Sequence, residues 1–204
     1  MISAKIGVSK STLSSWLSGI PYTPNKATIK RIGEGKLKSA ISKNRQKIES
    51  IKKGKLIGAS DVGSLTKRDL FMIGIALYIG EGTKSYDITR IINSDPNVIR
   101  IAMRWFREVC GLDTKNFQAT LFIYPDIKEA AAIEYWSKIT EIPASQFRKT
   151  QIDRRRNKSS RKHKKLPYGT VHITIKACGN PSHGTELHRR VMGWIEAVYD
   201  QMRV

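Results

Sequence analysis

The chain has 204 residues, 40% of them hydrophobic, and its 37 Lys and Arg against 17 Asp and Glu give a formal net charge of +20. This length and apolar content suit one full domain with a smaller module, and the positive field attracts polyanions, so we expect a nucleic acid as the partner. No apolar run reaches the roughly 18–20 residues of a spanning helix and no signal peptide is visible, so we expect a cytoplasmic protein that does not bind membranes.

The first segment, ISAKIGVSKSTLSSWLSGIP within residues 1–22, has the pattern of the second half of a helix-turn-helix. Ile2 to Ile6 would end one helix, Gly7 would form the turn, and Ser9 would cap a second helix that runs from Lys10 to Leu17. It resembles the helix-turn-helix of resolvase-type and small regulator proteins, which implies a helix in the major groove. The residues predicted to contact DNA are Lys10, Ser11, Thr12, Ser14 and Ser15.

Two alternatives stay open for this segment. It is also compatible with an ordinary capped helix that is rich in serine. The helix that normally precedes the turn is not visible, so the module is truncated, begins upstream of the numbered chain, or packs elsewhere.

Residues 23–65 are rich in Lys and Arg and have only a thin apolar stripe, which is too narrow for an independent core. We predict a basic helical linker here. It would follow a phosphate backbone, or else stay a solvated linker.

From Leu65 the composition becomes that of a domain. Thr66 begins the predicted helix TKRDLFMIGIALYIG, and Asp69 completes a capping box. Its small residues, Gly74, Ala76 and Gly80, would let another backbone come close. Glu81 follows at the carboxyl end, where the helix dipole disfavours a carboxylate by roughly 0.3–1 kcal/mol unless a cation compensates.

The remaining segments predict an α+β domain with an antiparallel sheet. The predicted strands are YDITRIINS, NFQATLFIYP, the short QFRKTQID and YGTVHITIKA. The predicted helices are DPNVIRIAMRWFREVCG, DIKEAAAIEYWSKITEI and a last helix over Thr185–Met202. Two apolar faces are expected in the core: Val98, Ile101, Ala102, Trp105, Phe106 and Val109 in one helix, and Leu187, Val191, Trp194, Ile195, Val198 and Met202 in the last.

The exposed sheet face is expected to be polar and basic and to read a DNA groove. The segment Arg154 to Lys165, RRRNKSSRKHKK, would be a hairpin loop that binds phosphates. The predicted DNA-binding residues of this domain are Arg148, Lys149, Arg154, Arg155, Arg156, Lys158, Arg161, Lys162, Lys164, Lys165, His172 and Thr174.

Two cysteines, Cys110 and Cys178, lie far apart and form no CxxC pair, which argues against a disulfide scaffold or a zinc ribbon. Cys178, His183 and His188 match no common zinc spacing. We expect a buried thiol and surface histidines instead.

The stretch Gly74 to Gly82, GIALYIGEG, resembles the signature helix of the LAGLIDADG homing endonucleases, and the following NSDP is similar as well. The resemblance covers about residues 66–203. It implies a LAGLIDADG-like fold for residues 66–204 and a homodimer in which two such helices pack together. It also implies Glu81 as a ligand of Mg²⁺ and double-stranded DNA as the substrate. Lys84 and, more weakly, Lys176 would stabilise phosphate charge.

Three alternatives accompany this hypothesis. Members of the superfamily also act as transcription regulators without cleavage, and a helix-turn-helix is compatible with that role. Glu81 would then pair with Lys84 in a local salt bridge worth at most about 1 kcal/mol. RNA binding is the third, although the scattered aromatic residues have the pattern of a core rather than of stacking platforms.

Overall fold

The computed structural model describes residues 2–21, 23–153 and 166–203, and the chain divides into two compact units, Met1–Ser64 and Leu65–Val204. None of the helices in these described ranges combines the length and apolar composition that a bilayer crossing requires.

The regular secondary structure of the first unit is α-helical in its described residues. Its helices are α1 (Ile2–Ile6), α2 (Lys10–Trp16), α3 (Lys26–Ile32) and α4 (Glu34–Val62). The predicted helix pair is present: Gly7 has a φ of +66°, and the side chain of Ser9 accepts a hydrogen bond from the backbone N–H of Thr12. The region predicted as a basic helical linker forms α3 and α4, which are separated by Gly33.

This unit buries very little apolar surface. Leu37 is the one buried side chain among its described residues. The two large apolar residues at the carboxyl end of α2, Trp16 and Leu17, are 62% and 52% exposed. The helices of this unit therefore form without a closed core.

The second unit is an α+β domain around a four-stranded sheet. Its strands are β1 (Arg90–Asn93), β2 (Phe117–Ile123), β3 (Gln151–Ile152) and β4 (Thr170–Ile175), in the order β1-β4-β2-β3. The strand β4 is antiparallel to both β1 and β2. The strand β3 runs parallel to β2, so the prediction of an antiparallel sheet was wrong for this edge and the sheet is mixed.

The α-helices in the described residues of this unit are α5 (Lys67–Glu81), α6 (Pro96–Glu108), α7 (Glu129–Thr140) and α8 (Thr185–Met202). They share one core with the inward residues of the strands, and Trp105, Trp136 and Phe106 are among its largest fully buried side chains. Gly74 of α5 lies directly against Trp105, because a Cβ at this position would come within 1.9 Å of the indole ring.

Several predicted boundaries and faces needed correction. The first strand begins at Arg90 rather than Tyr86, because Tyr86 and Asp87 both have positive φ and form a turn. The segment QFRKTQID contains only two strand residues. In α6, Ala102, Trp105 and Phe106 are buried as expected, but Ile101 is exposed while Ile99 and Met103 are buried, so the core face is shifted only in part. Met202, at the end of α8, is also exposed.

The expectations for the sulfur and imidazole side chains were also partly wrong. Cys178 is exposed rather than buried, whereas Cys110 is buried. His188 is buried rather than on the surface. Burial raises the pKa of the Cys110 thiol to about 12, so this thiol stays protonated and unreactive at neutral pH.

Candidate nucleic-acid interface and carboxylate site

The helix α5 brings Glu81 to the edge of the sheet. Thr66 and Asp69 cap its start with the predicted reciprocal hydrogen bonds, and Glu81 is its last residue. Gly82 then pairs with Ile91, on the side of β1 away from β4. A Cβ at Gly82 would overlap the Tyr78 ring at 2.4 Å, so glycine is required for this close approach. Glu81 is therefore fixed one residue before the sheet edge.

The hydroxyl of Tyr78 holds the turn between α5 and β1. It donates to the carbonyl of Thr83 at 2.7 Å and accepts a longer bond, 3.4 Å, from the backbone N–H of Arg90. The backbone N–H of Thr83 donates to the Arg90 carbonyl at 2.9 Å. Burial raises the pKa of Tyr78 to about 12, so the hydroxyl keeps its proton and remains a donor.

Lys84 supplies the cation that the carboxyl end of α5 needs. Its Nζ donates to the Ile79 carbonyl at 2.6 Å, which satisfies one of the last carbonyls of the helix and opposes the negative end of the dipole. Among the described residues Glu81 makes neither a hydrogen bond nor an ion pair, so the proposed local salt bridge with Lys84 was wrong. The carboxylate is exposed, and both of its oxygens are available as ligands.

The three small residues of α5 have different surroundings. Gly74 accommodates Trp105 of the same chain, so it is not available to a second backbone. Ala76 and Gly80 are exposed, and a Cβ at Gly80 would meet no atom within 4 Å. Ile73 and Leu77, which lie on the same side at helical spacing, are half-buried. One strip of α5 is thus small, apolar and uncovered within the described chain.

The open face of the sheet carries a polar row that crosses three strands. Arg90 in β1 is opposite Thr174 in β4, and Thr174 is opposite Gln118 in β2. The Nε of Arg90 donates to the Thr174 hydroxyl oxygen at 2.9 Å. Thr174, a predicted DNA-binding residue, therefore already serves as the acceptor for an arginine.

A neighbouring row is largely uncharged. Ile92, His172 and Thr120 are opposite one another in β1, β4 and β2. The His172 ring stacks on the Phe122 ring, with centroids 4.0 Å apart and planes inclined by 17°. Burial, and next the positive charge of Arg90, lower the pKa of His172 to about 4, so the imidazole is neutral at physiological pH.

Most predicted phosphate-binding cations with a described position lie around the sheet rather than on it. Arg148 and Lys149 are exposed next to the outer side of β2, where the backbone N–H of Arg148 donates to the Ala119 carbonyl. Lys176 follows β4, and Gly82 lies across β1 from that strand, so the chain does not bring Lys176 next to Glu81. At about 4.8 Å per strand, two strand spacings separate them by about 10 Å or more. The segment Arg154 to Lys165 lies outside the described residues.

The predicted DNA contacts of the first unit all lie in α2. Lys10, Ser11, Ser14 and Ser15 are exposed and Thr12 is half-buried. The hydroxyl of Ser9 lies 2.8 Å from the hydroxyls of both Ser11 and Thr12, so these two side chains belong to the helix cap. Lys10, Ser14 and Ser15 make no such contact among the described residues and are the better candidates for direct contacts with DNA.

Within the described ranges, no three His, Cys, Asp or Glu side chains are grouped as a metal site. Cys178, His183 and His188 therefore do not form a metal-binding group. Glu81 is a single carboxylate on an exposed helix end. Any site that it forms for a hard divalent cation requires further oxygen ligands from a second chain, from water or from a bound phosphate.

Sequence reasoning missed Arg90, Gln118, Thr120 and Phe122, all of which share the open face with His172 and Thr174. The alternation of polar and apolar residues along each strand indicated part of this face, since residues two apart in one strand lie on the same face. Their cross-strand partners are set by long-range register, which a local pattern does not specify.

Comparison with known protein families, characterised proteins and solved structures gives no match to this chain.

Proposed function

We propose that this chain is a sequence-specific DNA-binding protein that works as a homodimer and cleaves duplex DNA with magnesium, on a scaffold of LAGLIDADG type. The observation that carries the proposal is the position of Glu81: an exposed carboxylate with no partner among the described residues, held at the edge of an open, polar sheet face. The charge of +20 supports a polyanionic substrate.

The uncovered strip of α5 supports the dimer. Ala76 and Gly80 are small enough for a second α5 to approach closely, and Glu81 directly follows this strip. In a symmetric pair the same residues of both copies meet, so two Glu81 carboxylates come near one another. The two Glu81 carboxylates would hold Mg²⁺, which would supply activation of a water molecule and stabilisation of the leaving oxygen.

A non-catalytic DNA-binding regulator is the second candidate, and the contact of Lys84 favours it. The Lys84 ammonium is bound to the Ile79 carbonyl, so this cation caps α5 and is not free to stabilise a phosphate. Lys176, the other predicted cation, is separated from Glu81 by β1 in the same chain. A regulator needs the dimer and the sheet face but neither of these cations.

Cleavage of supercoiled plasmid that carries the native locus, with magnesium or manganese, separates the two functions. We expect nicks or double-strand breaks from the wild type and a loss of at least about 100-fold in rate for Glu81→Gln, because a neutral amide is a poor ligand for a hard cation. Glu196→Gln, another exposed glutamate on a helix, is the matched control and should cut like the wild type. Binding without cutting by all three proteins would favour the regulator.

The dimer is tested independently of cleavage by sedimentation. Gly80→Leu places a bulky side chain on the uncovered strip without a clash in its own chain, so the variant should stay folded and become monomeric. Ala131→Leu, on an exposed position of α7, is the control for an added leucine and should keep the oligomeric state of the wild type. A wild type that is monomeric with and without DNA would contradict the dimer.

A further inference from the structure

The side chain of Arg90, in the edge strand β1, reaches across to the neighbouring strand β4 on the open sheet face. Its Nε–H is held by the Thr174 hydroxyl at 2.9 Å, and Thr174 belongs to β4, which has a neighbouring strand on both sides. One of the five N–H donors of the side chain is thereby used. The Nη1 and Nη2 groups find no acceptor in the part of the chain that the structure describes.

A guanidinium whose plane is fixed in this way presents a rigid pair of parallel donors. The major-groove edge of guanine offers O6 and N7 as two adjacent acceptors, which is the arrangement that a fixed arginine matches. No other base pair presents two acceptors side by side on one base there. A phosphate also accepts two such bonds, so the surroundings of Arg90 must decide between base and backbone.

The surroundings favour a base. The row next to Arg90 consists of Ile92, His172 and Thr120, and the His172 ring is stacked on Phe122. These groups are apolar or neutral and present a surface on which a base edge or a thymine methyl group packs. The described cations suited to phosphates, Arg148 and Lys149, lie instead along the outer side of β2.

We propose that Arg90, oriented by Thr174, reads a guanine in the DNA that the open sheet face binds. This inference rests on the proposed DNA-binding function but not on cleavage. Arg90 makes the base contact itself, and Thr174 is a positioning residue that fixes the plane of the guanidinium.

Selection of binding sites from random duplex DNA with the full chain tests this assignment. The wild type should select a site with at least one invariant G·C pair, and replacing that pair by A·T should weaken binding about 10- to 100-fold. Arg90→Lys keeps the charge but loses the planar pair of donors, so the discrimination at this pair should fall about 5- to 10-fold while the affinity for unrelated DNA is retained. Thr174→Val, which removes the hydroxyl with little change of shape, should lower the same discrimination partially.

The controls separate this inference from the function on which it rests. Arg100→Lys, at an exposed position of α6, should select the same sites as the wild type. If Arg90→Lys keeps the guanine with full discrimination, or if Arg90→Gln weakens binding to all sequences equally, Arg90 does not read a base and the inference is wrong although the protein binds DNA. A wild type that binds no duplex would overturn the proposed function itself.

Discussion

The two units of this chain carry similar charge on very different frameworks. The unit Met1–Ser64 has thirteen Lys and Arg against three Asp and Glu, and one buried side chain among its described residues. The unit Leu65–Val204 has 24 against 14, with eight of its cations in Arg154–Lys165. Outside that segment its charge is nearly balanced, and it surrounds a closed core.

This difference separates two physical tasks. Cations spread over helices without a core attract phosphates regardless of sequence, because the attraction depends on charge and not on fixed geometry. A base-reading group must be held in one orientation, which is the role proposed above for Arg90 and Thr174, and such contacts need strands that are fixed by packing on their other face. The high net charge of a chain therefore predicts affinity for nucleic acid, but it does not indicate which unit contains the reading site.

Removal of the first unit should have the largest effect on binding. We expect residues 65–204 alone to bind random duplex DNA about 100- to 1,000-fold more weakly at 0.1 M salt, with a shallower salt dependence, because up to thirteen phosphate-binding cations are lost. Fluorescence anisotropy over a salt series measures this change.

The same variant tests whether the second unit is independent. Its core lies wholly within residues 65–204, so its thermal midpoint should remain within about 2 °C of that of the full chain. A drop of 10 °C would show that the first unit is part of the same cooperative fold, and an unchanged salt dependence would show that its cations do not contact DNA.

Truncation of one buried side chain in each unit should show how differently the two units are packed. Ile99→Ala in α6 removes a fully buried side chain and should cost about 2–5 kcal/mol in the free energy of unfolding. Leu37→Ala in α4 removes a side chain that is 7% exposed but lies in a unit without a core, so the cost should stay below about 1 kcal/mol. Urea unfolding followed by near-ultraviolet circular dichroism measures both. Equal costs would mean that the first unit is as tightly packed as the second.

The helices of this molecule were predictable from sequence because their signals are local. Thr66 and Asp69 cap α5 as expected, and α8 spans Thr185–Met202 as predicted. The direction of β3 was not predictable, because a two-residue strand takes its orientation from long-range pairing with β2. The face of α6 was predicted only in part, because Ile99, Ile101 and Met103 are close together in the sequence and periodicity alone does not decide which of them face the core.

The candidate site was likewise predictable only where its signal is local in the sequence. Glu81 stood out from its glycine neighbours, and the structure places it exposed at a helix end. The choice of Lys84 between the Glu81 carboxylate and the Ile79 carbonyl was not visible, since both acceptors lie within five residues. Arg90 was missed because its partner, Thr174, is 84 residues away in the chain.

The smallest effect we predict comes from His172, and it should appear only in the second unit. Its folded pKa of about 4 lies below the ordinary value of 6.5, so between these values the unfolded chain binds a proton that the folded chain does not. The stabilisation that this pKa difference gives to the folded protein is therefore fully present above about pH 6.5 and is lost as the pH falls towards 4. Since the ring is partly solvated, we expect the free energy of unfolding to fall by about 1–2 kcal/mol over this pH range.

The variant His172→Gln isolates this contribution, because all other titrating groups are shared with the wild type. The difference in unfolding free energy between the two proteins should be constant above pH 6.5 and shift by about 1–2 kcal/mol against the wild type by pH 4. A difference that does not change with pH would mean that the ring is as easily protonated in the folded protein as in the unfolded chain. Protonated His172 would then be a second cation beside Arg90 under mildly acidic conditions. The sheet face at this point would no longer be a neutral surface with charged residues around it.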